Sequence, residues 1–176
     1  MSNALREQLR QHLLPWLETR GFVADQPQNA LFWTYRREVG EQLQILEVQW
    51  DKYRRPRFIL NYGTCPRQGL VIDGRNISGH EMAAGWTEDA GRAHAGTSAE
   101  EHWFRQDRPW WRRLFGGAPL VDAQPILHGL QICLHELDIY WASGLLGPHM
   151  WPLARPERAA LKTPAGDADS RPTPHR

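Results

Sequence analysis

The sequence predicts an α+β fold: an antiparallel sheet of three to five strands, packed by an N-terminal and a C-terminal helix. Three observations predict it. Apolar residues recur at helical spacing from residue 3 and again after residue 122, strand-like segments fill residues 30 to 63, and short turns join those segments. The chain has 176 residues, 41% of them hydrophobic, which suffices for one core, and residues 1–151 read as a single domain.

The first helix is placed at residues 3–20. Leu5, Leu9, Leu13, Trp16 and Leu17 form one face, and Arg6, Arg10, Glu18 and Arg20 lie largely opposite. Pro15 removes a backbone donor inside this span, so a kink or a broken first half is expected. Gly21 suits the left-handed position that ends a helix, with Phe22 folding back toward Leu17.

"ALFWTYRR" (30–37) and "LQILEVQW" (43–50) flank a turn at Gly40 and read as an antiparallel hairpin. "RFILNYG" (57–63) is the third strand and sets Phe58, Leu60 and Tyr62 on one face. Its connector, "DKYRRP", reads as a solvated basic turn, since Pro56 cannot donate to a ladder.

Seven glycines punctuate residues 63–99, which read as a long loop holding one short strand, "GLVIDG", at 69–74. "SAEEHWFRQDRPWWRRLF" reads as helical turns on each side of Pro109. The last helix is capped by Asp122 with Pro125 in its first turn. It carries Ile126, Leu130, Cys133, Leu134, Leu137 and Trp141 as an apolar stripe and ends at Gly144. Residues 152–176, rich in proline and poor in large apolar groups, are expected to be a disordered tail.

Composition excludes several function classes. A net charge of +1 supplies no field for nucleic acid or anionic lipid. The N-terminal "MSNALREQLRQHLL" has no apolar signal core, and no run approaches the ~18 apolar residues of a membrane span. With only Cys65 and Cys133, in no metal-like spacing, the chain is expected to be cytoplasmic and without a membrane partner.

His128, Gln131, His135 and Asp138 form a polar stripe on the last helix. The two histidines lie two turns, about 10 Å, apart, too far to share one ion, so no metal is assigned. Cys133 and His135 fall on different helix faces, and the glycines match neither a P-loop nor a dinucleotide fingerprint. No catalytic residue and no cofactor are assigned.

Binding residues are easier to name. Trp86, Glu88, Asp89, Trp110, Trp111, Arg112 and Arg113, with Trp103 between them, combine aromatic anchors with acidic residues before and arginines after. Such a segment suits a protein interface, and its acidic part suits a cleft that normally receives a polyanion.

The segment from Leu13 to Tyr62 resembles the bacterial domain-of-unknown-function 4304 family over about the first 65 residues. The resemblance rests on Gly21-Phe22, the strand Trp33 to Arg37, Gln49 in the second strand and Asn61 to Gly63 in the third. It implies a small cytosolic protein, of a kind sometimes encoded beside polymorphic toxins, and carries over no catalytic residue. The expectation is therefore a non-enzymatic binding protein, an immunity protein that neutralises a cognate bacterial toxin by direct binding. The alternatives are an enzyme using the His128/His135/Asp138 face and an RNA-binding module using the two basic aromatic segments.

Overall fold

A computed structural model describes residues 4–26, 30–96, 102–107 and 120–153. Helix α1 (Ala4–Thr19) leads into strands β1 (Val23–Ala24), β2 (Phe32–Val39), β3 (Gln42–Trp50) and β4 (Arg57–Pro66). A small hairpin, β5 (Leu70–Ile72) and β6 (Arg75–Ile77), precedes two single-turn 3-10 segments at Gly79–Glu81 and Ala84–Trp86. Then come β7 (Gly91–Ala93), β8 (Phe104–Arg105), helix α2 (Gln124–Ser143) and β9 (Met150–Pro152).

The fold class is α+β with an antiparallel sheet, and among the described residues the sheet is larger than expected. Six strands run in the order β1-β2-β3-β4-β7-β9, and β8 adds a seventh by pairing with the start of β4. β7 and β8 come from stretches read as loop and helical turns, and β1 and β9 fall where no strand was expected. β7, β8 and β9 are two or three residues long, too short to show alternation, and exist because β4 and β7 offer them ladder partners.

Helix α1 runs continuously through Pro15, so the first half is not broken off. The proline forgoes one bond to the carbonyl of Gln11, while Leu5, Leu9, Leu13 and Leu17 are all buried on one face and hold the helix regardless. Its end follows the expectation. Gly21 has φ of +76°, its N–H donates to Glu18 O at 3.0 Å, and the Phe22 N–H donates to Leu17 O at 3.0 Å. These are the two bonds of a Schellman cap.

One cluster of buried side chains contains the four leucines of α1, Leu127, Leu130, Cys133, Leu134 and Leu137 of α2, and one face of the sheet. That face is in register: Trp33 opposes Val48, Val48 opposes Leu60, Leu60 opposes Ala93, and Ala93 opposes Met150. Aromatic contacts thread it, including a stacked Phe58–Phe104 pair with centroids 4.9 Å apart. Phe104 is thus drawn into a strand, where helical turns were expected. The segment around Pro109 lies outside the described residues.

Of residues 63–99, expected to be a long loop holding one short strand, the described part finishes β4 and forms the β5–β6 hairpin, both 3-10 turns and β7. Ile72 pairs with Arg75 across Asp73 and Gly74, which both have positive φ, +50° and +75°. This is the Asp-Gly two-residue turn that strands twist into most readily. At α2, the N-cap is Ala123, one residue beyond the expected cap, while the Gln124 N–H donates to Asp122 Oδ1 at 3.3 Å. Gly144, φ +76°, closes the helix as expected. The last strand reaches Pro152, and from residue 154 onward the expected tail lies outside the described residues.

The "DKYRRP" connector is more than a solvated basic turn. Asp51 is buried and accepts from the Tyr53 N–H at 2.8 Å, from Arg57 Nε at 2.8 Å and from Arg55 Nε at 3.3 Å. Arg57 then lies 4.5 Å from the ring centroid of Trp103. Lys52, Arg54 and Arg55 remain exposed. The basic residues of the turn are partly solvated and partly consumed by one internal carboxylate.

Candidate functional site

The second face of the sheet carries polar groups across its middle, where the first carries aromatics, and beyond them Leu43, Ile45 and Cys65 pack with Met82 and Ala84 in a small apolar cluster. Because side chains alternate along each strand, residues one step from the apolar row share this face. Thr34 opposes Glu47, Glu47 opposes Asn61, Asn61 opposes Arg92, and Arg92 opposes Trp151. One row across five strands therefore reads Thr-Glu-Asn-Arg-Trp. Gln49 lies one pleat along β3, opposite Phe32.

These groups form a network. Asn61 Nδ2 donates to Glu47 Oε1 at 3.2 Å and to Gln49 Oε1 at 3.1 Å, and Arg92 Nε donates to Asn61 Oδ1 at 3.1 Å. The orientation of the Asn61 amide follows, since its oxygen faces a cation and its nitrogen faces two acceptors. Glu47 is 8% exposed. Burial pushes its carboxyl above the ordinary range and nearby Asp25 adds to that, while the Asn61 bond and Arg36 pull the other way without cancelling it.

Arg36 builds the wall. Its Nε donates to both oxygens of Asp25 at 3.0 Å, and its Nη1 donates to Gly79 O at 3.0 Å and Met82 O at 2.8 Å. A guanidinium fork is suited to tying a carboxylate and two carbonyls at once. The 79–86 turns are held over the sheet at a second point. A Cβ on Gly63 would strike the Thr87 hydroxyl and come within 2.8 Å of Ala84 O, so only glycine lets the turn sit this close to β4.

The result is a basin of about 450 Å³, floored by Thr34, Glu47, Gln49, Asn61 and Arg92 and walled by Arg36, Glu81 to Ala83 and Trp86. That is the size range of small-ligand and side-chain sites. Trp86 is 58% exposed at this wall. A large aromatic left in solvent beside a polar cavity is available for stacking or for a partner.

Of the residues named from sequence, Trp86 lies at the basin and Glu88 is exposed nearby in sequence. Asp89 is committed within the fold: its Oδ1 accepts from the Thr64 N–H at 2.6 Å and its Oδ2 from the Tyr140 hydroxyl at 3.4 Å. Trp103 is half-buried against Arg57. Trp110, Trp111, Arg112 and Arg113 lie outside the described residues. The α2 stripe does not converge on a site: His128, Gln131 and His135 are exposed, and Asp138 accepts from Arg20 Nε at 2.7 Å.

Both thiols are buried and free, and burial pushes that of Cys133 up to about 12. Among the described residues, no group of three His, Cys, Asp or Glu side chains is arranged to hold a metal ion. Among them, too, no helix is long and apolar enough to cross a membrane.

Sequence reasoning missed Arg36, Glu47 and Arg92 as site residues. The usable signal was the polar side of the strands: Thr34 and Arg36 in β2, Glu47 and Gln49 in β3, and Asn61 in β4. Arg92 sits in a strand that gave no signal of its own. In comparisons with known proteins, the chain matches no family model, no curated protein and no solved structure.

Proposed function

We propose that the chain is a non-enzymatic binding protein, acting as an immunity protein that neutralises a cognate bacterial toxin by direct contact. The partner seats on the polar face of the sheet, with both helices on the apolar face. The observation that carries this reading is Trp86, 58% exposed beside a basin with a buried carboxyl in its floor. Exposed tryptophan next to a hydrogen-bonded polar cavity is the anchor-and-rim arrangement from which interface hot spots are built.

The polar groups support recognition more than reaction. Asn61 and Arg36 spend their donors on fixed acceptors, which preorganises the floor and lowers the entropic cost of docking. Gln49 and Asn61, which carry part of the resemblance to the 4304 family, both line the basin. The enzyme reading on α2 loses Asp138 to Arg20, and the RNA reading loses Arg57 to Asp51.

The test is growth of cells that express a candidate toxin together with this chain. The full chain restores growth, and Trp86→Ala, folded to the same thermal midpoint, does not. Equal rescue by both would remove Trp86 and its face from the binding surface.

A further inference from the structure

Resting on that reading, we propose that the basin is a receptor for a guanidinium, the head of an arginine side chain presented by the partner. Glu47 is the central group. It is more than nine-tenths buried, its Oε1 takes the Asn61 amide, and among the described residues no hydrogen bond engages Oε2. Glu81, on the adjacent turn, supplies a second carboxylate whose Oε2 is held by Ser78 Oγ at 2.8 Å, leaving Oε1. Trp86, 58% exposed, lines the same cavity and offers a π face.

Two carboxylate oxygens and an aromatic face match a planar, weakly hydrated cation. Arg36 does not oppose it, since Asp25 neutralises that guanidinium and two carbonyls engage it. Arg92 lies two strands from Glu47 in the same row, with Asn61 between them. Its positive charge directs the incoming cation to the Glu47 end. A free anion meets two carboxylates at that end and is disfavoured there.

The charged groups around Glu47 are Arg36 on β2, Asp25 beyond β1, Glu81 on the 3-10 turn and Arg92 on β7. A guanidinium binds the ionised form of Glu47. Affinity therefore rises with pH and levels off once that carboxyl has ionised, which burial delays beyond the ordinary range.

The test is a titration of the full chain with methylguanidinium, followed by NMR at the indole N–H of Trp86. Urea serves as the neutral isostere, and methylammonium and acetate as the non-planar cation and the anion. The expected result is a saturable shift with methylguanidinium that weakens at least about tenfold in Glu47→Gln, the scale of one lost charge contact. Urea and acetate give no saturable shift, and methylammonium binds more weakly. Equal binding of urea or methylammonium, or methylguanidinium binding untouched by Glu47→Gln, overturns the assignment. Should Glu47→Gln fail to fold, Glu81→Gln at an exposed position reads the same contact.

The cognate toxin separates this inference from the reading beneath it. Affinity lost in Trp86→Ala but kept in Glu47→Gln leaves the face as the interface and overturns the guanidinium site. Methylguanidinium binding as described, with toxin affinity unchanged in both variants, upholds the cation site and overturns the interface.

Discussion

Asp51→Asn tests the buried carboxylate that ties the β3–β4 connector to Arg57. The carboxylate is 4% exposed and receives the Tyr53 N–H at 2.8 Å, Arg57 Nε at 2.8 Å and Arg57 Nη2 at 2.7 Å. Arg55 also reaches it, but its side chain is 46% exposed and adds little through solvent screening. Removing one partner of a buried ion pair costs about 3–5 kcal/mol. Asparagine keeps one acceptor for the Tyr53 amide, and Arg57 keeps the ring of Trp103, worth about 1 kcal/mol, so the expected loss is about 2–4 kcal/mol.

The pH dependence gives the prediction its sign. Burial alone pushes the Asp51 carboxyl up, but bonds from Arg57, the Tyr53 amide and Arg55 outweigh it and hold it below its ordinary value of 3.8. A group with a depressed folded pKa contributes stability that is present above the unfolded value and lost as pH falls through the folded one. In urea melts the gap between wild type and Asp51→Asn is therefore widest near neutrality and narrows as pH falls below the ordinary value of 3.8. A variant as stable as wild type, or a gap equally wide in acid, would refute the hub.

Three further outcomes follow from burial and close approach. Leu134→Ala, 2% exposed in the helix–sheet cluster, loses about 2–5 kcal/mol in a denaturant melt; an unchanged midpoint means that the stripe faces elsewhere. Gly91→Ala drives a methyl group into the Tyr62 ring and costs about 1–3 kcal/mol by the same assay. Glu47→Gln removes a buried carboxyl whose raised pKa makes wild-type stability fall as pH rises through its ionisation. The variant therefore gains on wild type from acid toward neutral pH, and a constant difference across that range would contradict it.

The parts of the fold that were legible in sequence are those that local chemistry dictates. The Gly21 cap, the Gly40 hairpin and the alternation of Phe58, Leu60 and Tyr62 each need only a few neighbouring residues to be read. β7, β8 and β9 were hidden because two or three residues have no pattern, and their pairing is decided by strands far away in the chain. The β5–β6 hairpin was readable, since Asp73-Gly74 is a turn signal, but reading "GLVIDG" as one strand put that turn at its end.

The candidate site divides in the same way. Trp86 stood out by residue type, whereas Glu47 looked like an ordinary polar position on a half-exposed strand. Its importance arises from a register across β2, β3, β4 and β7 and from turns that Gly63 allows to close over it. Asp89 shows the converse. It looked like an interface acid, and the fold uses it to hold the Thr64 amide and the Tyr140 hydroxyl.

The central claim is that a partner binds at the basin through Trp86. Its most direct measurement is the calorimetric affinity of the proposed toxin partner for the wild type and for Trp86→Ala, alongside the urea midpoints of both. An exposed anchor predicts a loss of about 2 kcal/mol or more in binding, roughly thirtyfold in Kd, with the midpoint unchanged. Unchanged affinity in a folded Trp86→Ala chain would contradict it.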